Sequence, residues 1–416
     1  MVFKRAKILI IIFIGIFFFY FTTDFSLINI EKTALIISLG VDKTTKGYEV
    51  TTQIAIPEAS NTQSNNKESV ISAEGKTLYE AITKIGGLTG WYPKLSFCNL
   101  IVIGENLLTE NIMGLVDFFV RSYKVEDSAI LCSCEGTAKE LLLSSSPLDN
   151  ISGLSLSKIF VRDYNGASRV MTTSIKQFSI GYYSHSKMGY MPFIKQVLTD
   201  ESGKGGKSAP SSTISQTSSA GTGSGSGSGS SSESKGEKSG EQQLVIYDAN
   251  TCVLFNNGHK ISTLNGDEAL CYSLLYKSVT EAVFTIPSVD DDGKMGDLSI
   301  SINRVKNKLS LTYENDTPIL NGDIKVWLRI SDASMSESIK SLSTLGTLNN
   351  KVLHDAKNYI LNNLNQVYEK CQEANCDIFE VKNLLYRYHH KNYERDNHSI
   401  LKNLKVNFNI NCVNFI

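Results

Sequence analysis

From Thr199 to Gln243 the chain is built mostly of Gly, Ser, Lys and Glu, with Ile214 as its one branched aliphatic residue. Such a stretch has too little apolar surface to offset the entropy of ordering it, so the sequence predicts disorder there. Any fold must be assembled from the chain on its two sides. Strand-like segments flank it, "GYMPFIKQV" before and "QLVIYDANTCVLFNNGHKISTL" after. The second reads as a hairpin turning at "NNGHK". The stretch is therefore an oversized loop inside a small unit or a linker between units; loop-closure cost grows slowly enough with length to permit the first.

A second constraint sits at the start. Lys4, Arg5 and Lys7 precede residues 8–21, all apolar or glycine. This is the pattern of an export signal and is short for a bilayer span. The segment runs on through Phe19, Tyr20 and Phe21 into Thr22, Thr23 and Asp24, without the small residues that cleavage requires. The first cysteine is Cys98, so no lipid-attachment cysteine follows the apolar run. The residues favour a retained anchor over cleavage, with positive charges holding the N-terminus inside and the remainder exported. A buried helix of a soluble domain is the poorest fit, because the segment has no polar face.

The expected division is an anchor at 1–26, an N-terminal α/β domain at 31–185, a small middle domain at 186–288 containing loop 199–243, and a C-terminal α/β domain at 289–416. The fold class is α/β (α+β), three mixed domains each with a sheet covered by helices. "TALIISLGVDK" and "YEVTTQIAIP" are strands joined by the turn "DKTTKG". "GKTLYEAITKIGGL" is an amphipathic helix with Leu78, Ala81, Ile82 and Ile85 on one face. "KLSFCNLIVIG" and "SAILCSC" are strands, and "NIMGLVDFFVRSY" and "GTAKELLLS" helices. In the last region "LSISINRVKNKLSLTYEN" and "ILNGDIKVWLRIS" alternate as strands. A long helix then carries Leu353, Ala356, Ile360, Leu364, Val367 and Cys371 along one stripe, and a second helix and a closing strand complete the region.

Chemistry-bearing motifs are scarce. A net charge of −1 gives no basic footprint for nucleic acid. Eight cysteines are spread too thinly for a disulfide scaffold and lack zinc spacing. Cys132 and Cys134 share a strand face as small apolar side chains, and Cys371 and Cys376 are near enough for a local disulfide. His389, His390 and His398 read as a solvated polar loop. Asp290, Asp291, Asp292 and Asp297 lack the calcium-loop spacing and closing Glu. The glycines of the low-complexity stretch precede no helix, so they cradle no phosphate. Trp91 in "GWYPK" suits a helix cap or surface groove. No cofactor is expected. Three residues stand out as structural or partner-contact candidates: Asp42 at a strand-to-turn junction, Glu105, and Arg121 at a helix end, where it suits the macrodipole. Each is expected to stabilise its own domain first.

The blocks "IEKTALIISLGVDKTTKGYEVTTQIAIPEA", "GKTLYEAITKI", "KLSFCNLIVIGENL" and "IMGLVDFFVRSYKVEDSAILCSCEGTAKELL" resemble, in order, those of the Ger(x)C proteins, the C subunits of spore germinant receptors. The C-terminal half is similar at the level of pattern. The resemblance implies a three-domain, non-enzymatic extracytoplasmic protein on the outer face of the spore inner membrane. It would act with two membrane-embedded partners, the A and B subunits, in nutrient-triggered germination. Three departures stand out: no lipobox cysteine, Asn99 where the family often has His, and the low-complexity insertion. Two other classes are weighed against this. One is a different anchored binding or envelope-assembly module, which would show a deep pocket between lobes; the other is an enzyme, which would need convergent titratable groups.

Overall fold

The computed structural model describes residues 10–17, 33–55, 69–122, 125–147, 151–160, 170–198, 245–276, 279, 282–289, 295–333 and 348–415. Most of the leader, the low-complexity stretch and Asp290–Asp292 lie outside them. Residues 10–17 form a short helix, α1, whose large apolar side chains are all exposed. Among the described residues no helix is long and apolar enough to cross a membrane.

Ten strands form the first sheet, in the order β10-β9-β8-β6-β5-β1-β2-β3, with β4 beside β1 and β7 beside β6. They are β1 (Thr33–Thr44), β2 (Gly47–Ala55), β3 (Ser69–Gly75), β4 (Tyr92–Lys94), β5 (Leu100–Ile103), β6 (Ile130–Cys134), β7 (Thr173–Ser174), β8 (Met188–Leu198), β9 (Val245–Asn256) and β10 (His259–Leu264). The centre, β1-β5-β6-β8, is parallel; the flanking hairpins are antiparallel. A parallel centre needs crossover helices, which here cover both faces. On one face α2 (Leu78–Thr89), α3 (Met113–Ser122) and α6 (Ile175–Tyr183) pack on Ile101, Ile103 and Leu131. On the other, α4 (Ala138–Leu143) and α5 (Ser152–Phe160) pack on Leu100, Val102, Cys132 and Cys134. Leu78, Ala81, Ile82 and Ile85 are the buried stripe of α2, capped at Thr77 and ended by Gly90 in the left-handed region.

The second sheet has order β11-β12-β13-β14: β11 (Ala282–Val289), β12 (Met295–Glu314), β13 (Thr317–Ala333) and β14 (Lys405–Asn414). β14 runs parallel to β13 after a return through helices α8 (Asn350–Glu373), α9 (Val381–Tyr388), α10 (His390–Asp396) and α11 (Ile400–Asn403). The stripe of α8 is Val352, Ala356, Ile360, Leu364, Val367 and Cys371; Leu353 flanks it, partly buried.

The strands after the helical crossovers are divided between the two sheets. β8, β9 and β10 join the first sheet through the β6–β8 pairs Ser133–Phe193 and Cys134–Ile194, while β11 joins the second. Alternation marks a strand but not its partner, because pairing is non-local. Helix α7 (Gly266–Tyr276) lies between the two sheets and is buried almost all round, as a helix with apolar contacts on every side must be. Its buried Glu268 accepts from the Asn265 N–H (2.9 Å) and from Lys370 Nζ (2.7 Å), while Asn265 Oδ1 caps the Asp267 and Glu268 N–H groups. All eight cysteines are free thiols, and Cys371 and Cys376, near enough in sequence for a local disulfide, do not form one.

Candidate functional site: the cleft where the two sheets meet

The three residues singled out from sequence do not form one site. Asp42, at the end of β1, is buried. Its Oδ1 accepts the Ala138 N–H (2.7 Å) and its Oδ2 the Lys139 N–H (3.0 Å), so a carboxylate from a neighbouring strand caps α4. Burial raises its pKa, opposed by those two backbone bonds. Glu105 lies beside it: its Oε2 accepts the Gly136 N–H (3.2 Å), and its own N–H donates to the Gly136 carbonyl (3.0 Å). A Cβ on Gly104 would stand 2.0 Å from Asp42 Oδ1, so only glycine fits between them. Asp42 and Glu105 therefore converge on the turn before α4. Arg121 stands apart, exposed on α3, paired with Asp117 one turn back at 2.7 Å. An exposed pair of that kind, screened by solvent, contributes little to stability.

A larger feature lies elsewhere. Where α6, β8, α7 and α9 meet, a cavity of about 710 Å³ opens along the seam between the sheets. Its floor is Phe178, Met188 and Tyr272; its rim carries Gln177, Glu380 and Arg387. Burial pushes the Tyr190 phenol up to about 12 and holds Tyr272 well above its ordinary value, so both stay un-ionised hydrogen-bond donors at neutral pH. Tyr272 uses its hydroxyl to donate to the Ile378 carbonyl at 2.8 Å.

One side of the cleft is fastened by Asp377, which is buried just beyond α8. Its Oδ1 accepts the Val381 N–H (2.8 Å), and its Oδ2 accepts the Lys382 N–H (2.8 Å) and Ser186 Oγ–H (2.7 Å). One carboxylate thus caps α9 and ties it to the turn before β8. Desolvation pushes its pKa up to about 6, against the lowering effect of its three donors. Beside it the His185 N–H donates to Asn383 Oδ1 (3.0 Å), the His185 ring stacks on Tyr386 with centroids 4.0 Å apart, and His185 Nδ1 shares a 2.7 Å hydrogen bond with the Tyr393 hydroxyl. Positive φ angles at Asn375 and Glu380 turn the chain sharply on either side of Asp377.

The lining offers aromatic faces, un-ionised phenols, one carboxylate and one guanidinium, a mixture suited to holding an amphipathic molecule or a chain segment. The Ser186 hydroxyl and the Asp377 carboxylate are both committed to the staple, and among the described lining residues no nucleophile is paired with a free base. Of the His cluster, His389 Nε2 meets the Leu311 carbonyl (2.8 Å) and His390 stacks with Tyr393. Among the described residues no group of three or more metal-ligating side chains converges. Sequence reasoning did not single out Asp377. The available signal was an acid four residues before "VKNLLYRY", the spacing of a helix cap reached from a preceding turn.

Comparison with known proteins places both halves. The family described as "Spore germination protein N-terminal domain" matches residues 27–196, and that described as "Spore germination B3/ GerAC like, C-terminal" matches residues 250–413. A solved structure titled "Crystal Structure of the GerBC protein" aligns with a TM-score of 0.48 at 15% identity, covering 91% of this chain and 97% of that one. No curated protein matches the chain.

Proposed function

The chain belongs to the Ger(x)C family of spore germination proteins, and from that premise we propose that it is a non-enzymatic subunit of a nutrient germinant receptor. In this proposal it is held by its leader on the outer face of the spore inner membrane and works in contact with two integral-membrane partners, the A and B subunits. The observation that carries it is the pair of family matches in order, one on each side of the low-complexity stretch. The fold is in keeping with work by contact. Its halves are tied by Asp377, Glu268 and α7 into one body, and the Asp377 and Glu268 carboxylates are spent on that fastening.

Spores lacking the chain test it. Loss of light scattering after nutrient addition is expected to be abolished or strongly slowed for at least one nutrient and restored by the wild-type gene. The chain is expected to co-purify with both membrane subunits from detergent-solubilised spore membranes. A normal response to every nutrient would overturn the proposal. The cavity of about 710 Å³ favours a second reading, an anchored small-molecule-binding module. A normal germination response together with saturable ligand binding would select it.

A further inference from the structure

The outer face of the second sheet has an unusual charge pattern. Along β13, Leu320, Ile324, Val326, Leu328 and Ile330 point into the core, while Asp323, Lys325, Trp327 and Arg329 point outward. β12 would not match this by simple alternation, because Ile300 and Ile302 face inward and period two would carry Arg304, Lys306 and Lys308 inward with them. A β-bulge between Ile302 and Arg304 resets the alternation. Val305 becomes the inward residue, and the three cations turn out to the exposed side.

The register then stacks positive charge. Arg304 stands opposite Trp327, and Lys306 directly opposite Lys325. Like charges directly opposite each other weaken an antiparallel pair. Three cations surround one indole ring: Lys325 Nζ at 5.0 Å from its centroid, Arg304 Cζ at 5.2 Å and Lys306 Nζ at 5.9 Å. Among the described residues none of these three, nor Lys308, has a carboxylate in ion-pair range. Asp323, the acid in the middle of the patch, stands opposite Lys308 in the register but beyond ion-pair range, and accepts from Asn409 Nδ2 at 3.0 Å. On β14 the residues beside this patch are mostly amide, Asn407, Asn409 and Asn411, with Lys405 and Val413 at the two ends. A chain of net charge −1 has thus gathered unpaired cations around an amphipathic ring on the sheet face that no described helix covers.

We propose that this face docks on an anionic lipid bilayer, with Arg304, Lys306, Lys308 and Lys325 meeting phosphate headgroups and Trp327 seated at the interface. Clustered cations beside an indole are the composition that binds such a surface. The choice of lipid over an acidic protein rests on the membrane location proposed above.

The test uses the full chain carrying Trp91→Phe, which leaves Trp327 as its single tryptophan. Flotation and tryptophan emission are measured with vesicles of phosphatidylcholine alone and of phosphatidylcholine with phosphatidylglycerol. The expected result is flotation with both, through the leader, and a shift of Trp327 emission to shorter wavelength with the anionic vesicles alone. Molar salt abolishes that shift, since it screens charge beyond a few ångströms. The variant Lys306→Thr/Lys325→Thr keeps flotation and weakens the lipid dependence of the shift by roughly 25-fold, the product of about five-fold for each cation. Identical Trp327 emission on both vesicle types, with the protein floating, overturns the proposal and points to an acidic protein as occupant. Flotation with anionic vesicles alone keeps the docking face and removes the anchoring role of the leader. Flotation with neither removes both.

Discussion

The first sheet is covered on two faces, the second on one, and their chemistry diverges accordingly. In β5 every residue is spoken for: Leu100 and Val102 serve one core, Ile101 and Ile103 the other. The Gln53 side chain, which enters one of those cores, is fully bonded. Gln53 Oε1 accepts from Ser38 Oγ and from the Gly153 N–H (3.0 Å), while its Nε2 donates to the Leu142 carbonyl (2.9 Å) and Ser152 Oγ (2.8 Å). In β13 alternate residues face water, and that freedom is where charge collects. The double-covered sheet has traded exposed surface for packing; the single-covered one has kept a face on which side chains answer to something other than the fold.

The contrast can be broken by mutation. The largest effect expected is from Leu100→Ala and Ile101→Ala, neighbours on opposite faces, each destabilising by about 2–5 kcal/mol in chemical denaturation. In β13 Leu328→Ala should cost as much, but its neighbour Arg329→Ala should stay within about 0.5 kcal/mol. A harmless Leu100→Ala would mean that the second face of the first sheet is not a true core.

Next comes the seam. The folded protein holds the Asp377 proton up to about pH 6, whereas the unfolded chain releases it near the ordinary carboxylate value. Between those values the folded state binds more protons, so stability falls as pH rises. The contribution is whole below about pH 4 and lost through pH 6, amounting to about 3 kcal/mol. Asp377→Asn should lack this slope, and the difference between the two proteins, read from melts across that window, checks the sign. A parallel pair of pH profiles would show that the carboxyl is already ionised in the fold.

A smaller effect is expected at the remote cap of α4. Asp42→Ala leaves the Ala138 and Lys139 N–H groups without their acceptor and should cost about 2 kcal/mol. The smallest belongs to the outer face. Lys325→Thr removes the like-charge pair with Lys306 and should stabilise the free protein by up to about 0.5 kcal/mol. Loss of stability there would mean that the cations serve the sheet itself.

How much of this could be read from sequence depends on range. Helix stripes are local, so Leu78, Ala81, Ile82 and Ile85, or Ala356, Ile360 and Leu364, announce themselves by spacing. The outward Lys325, Trp327 and Arg329 follow from period two. The bulge after Ile302 is invisible, since nothing in "SINRVKNK" says where a residue is skipped, and without it Arg304 and Lys306 read as inward. The parallel pairing of β6 with β8 and the reach of Asp377 to Ser186, far apart in the chain, depend on how units come together. Spacing carries no record of that. Asp42 was legible as a turn residue, but its partners on α4 were not.

One detail of the first sheet has a practical side. Leu198 lies directly opposite Val245, so the polypeptide departs from the sheet and comes back across a single rung. The ladder holds those two ends together whatever is strung between them, and lengthening the excursion adds only a logarithmic entropic cost. The position is a natural splice point: a reporter protein inserted there, or a short turn replacing residues 200–243, should leave both halves of the body folding as before.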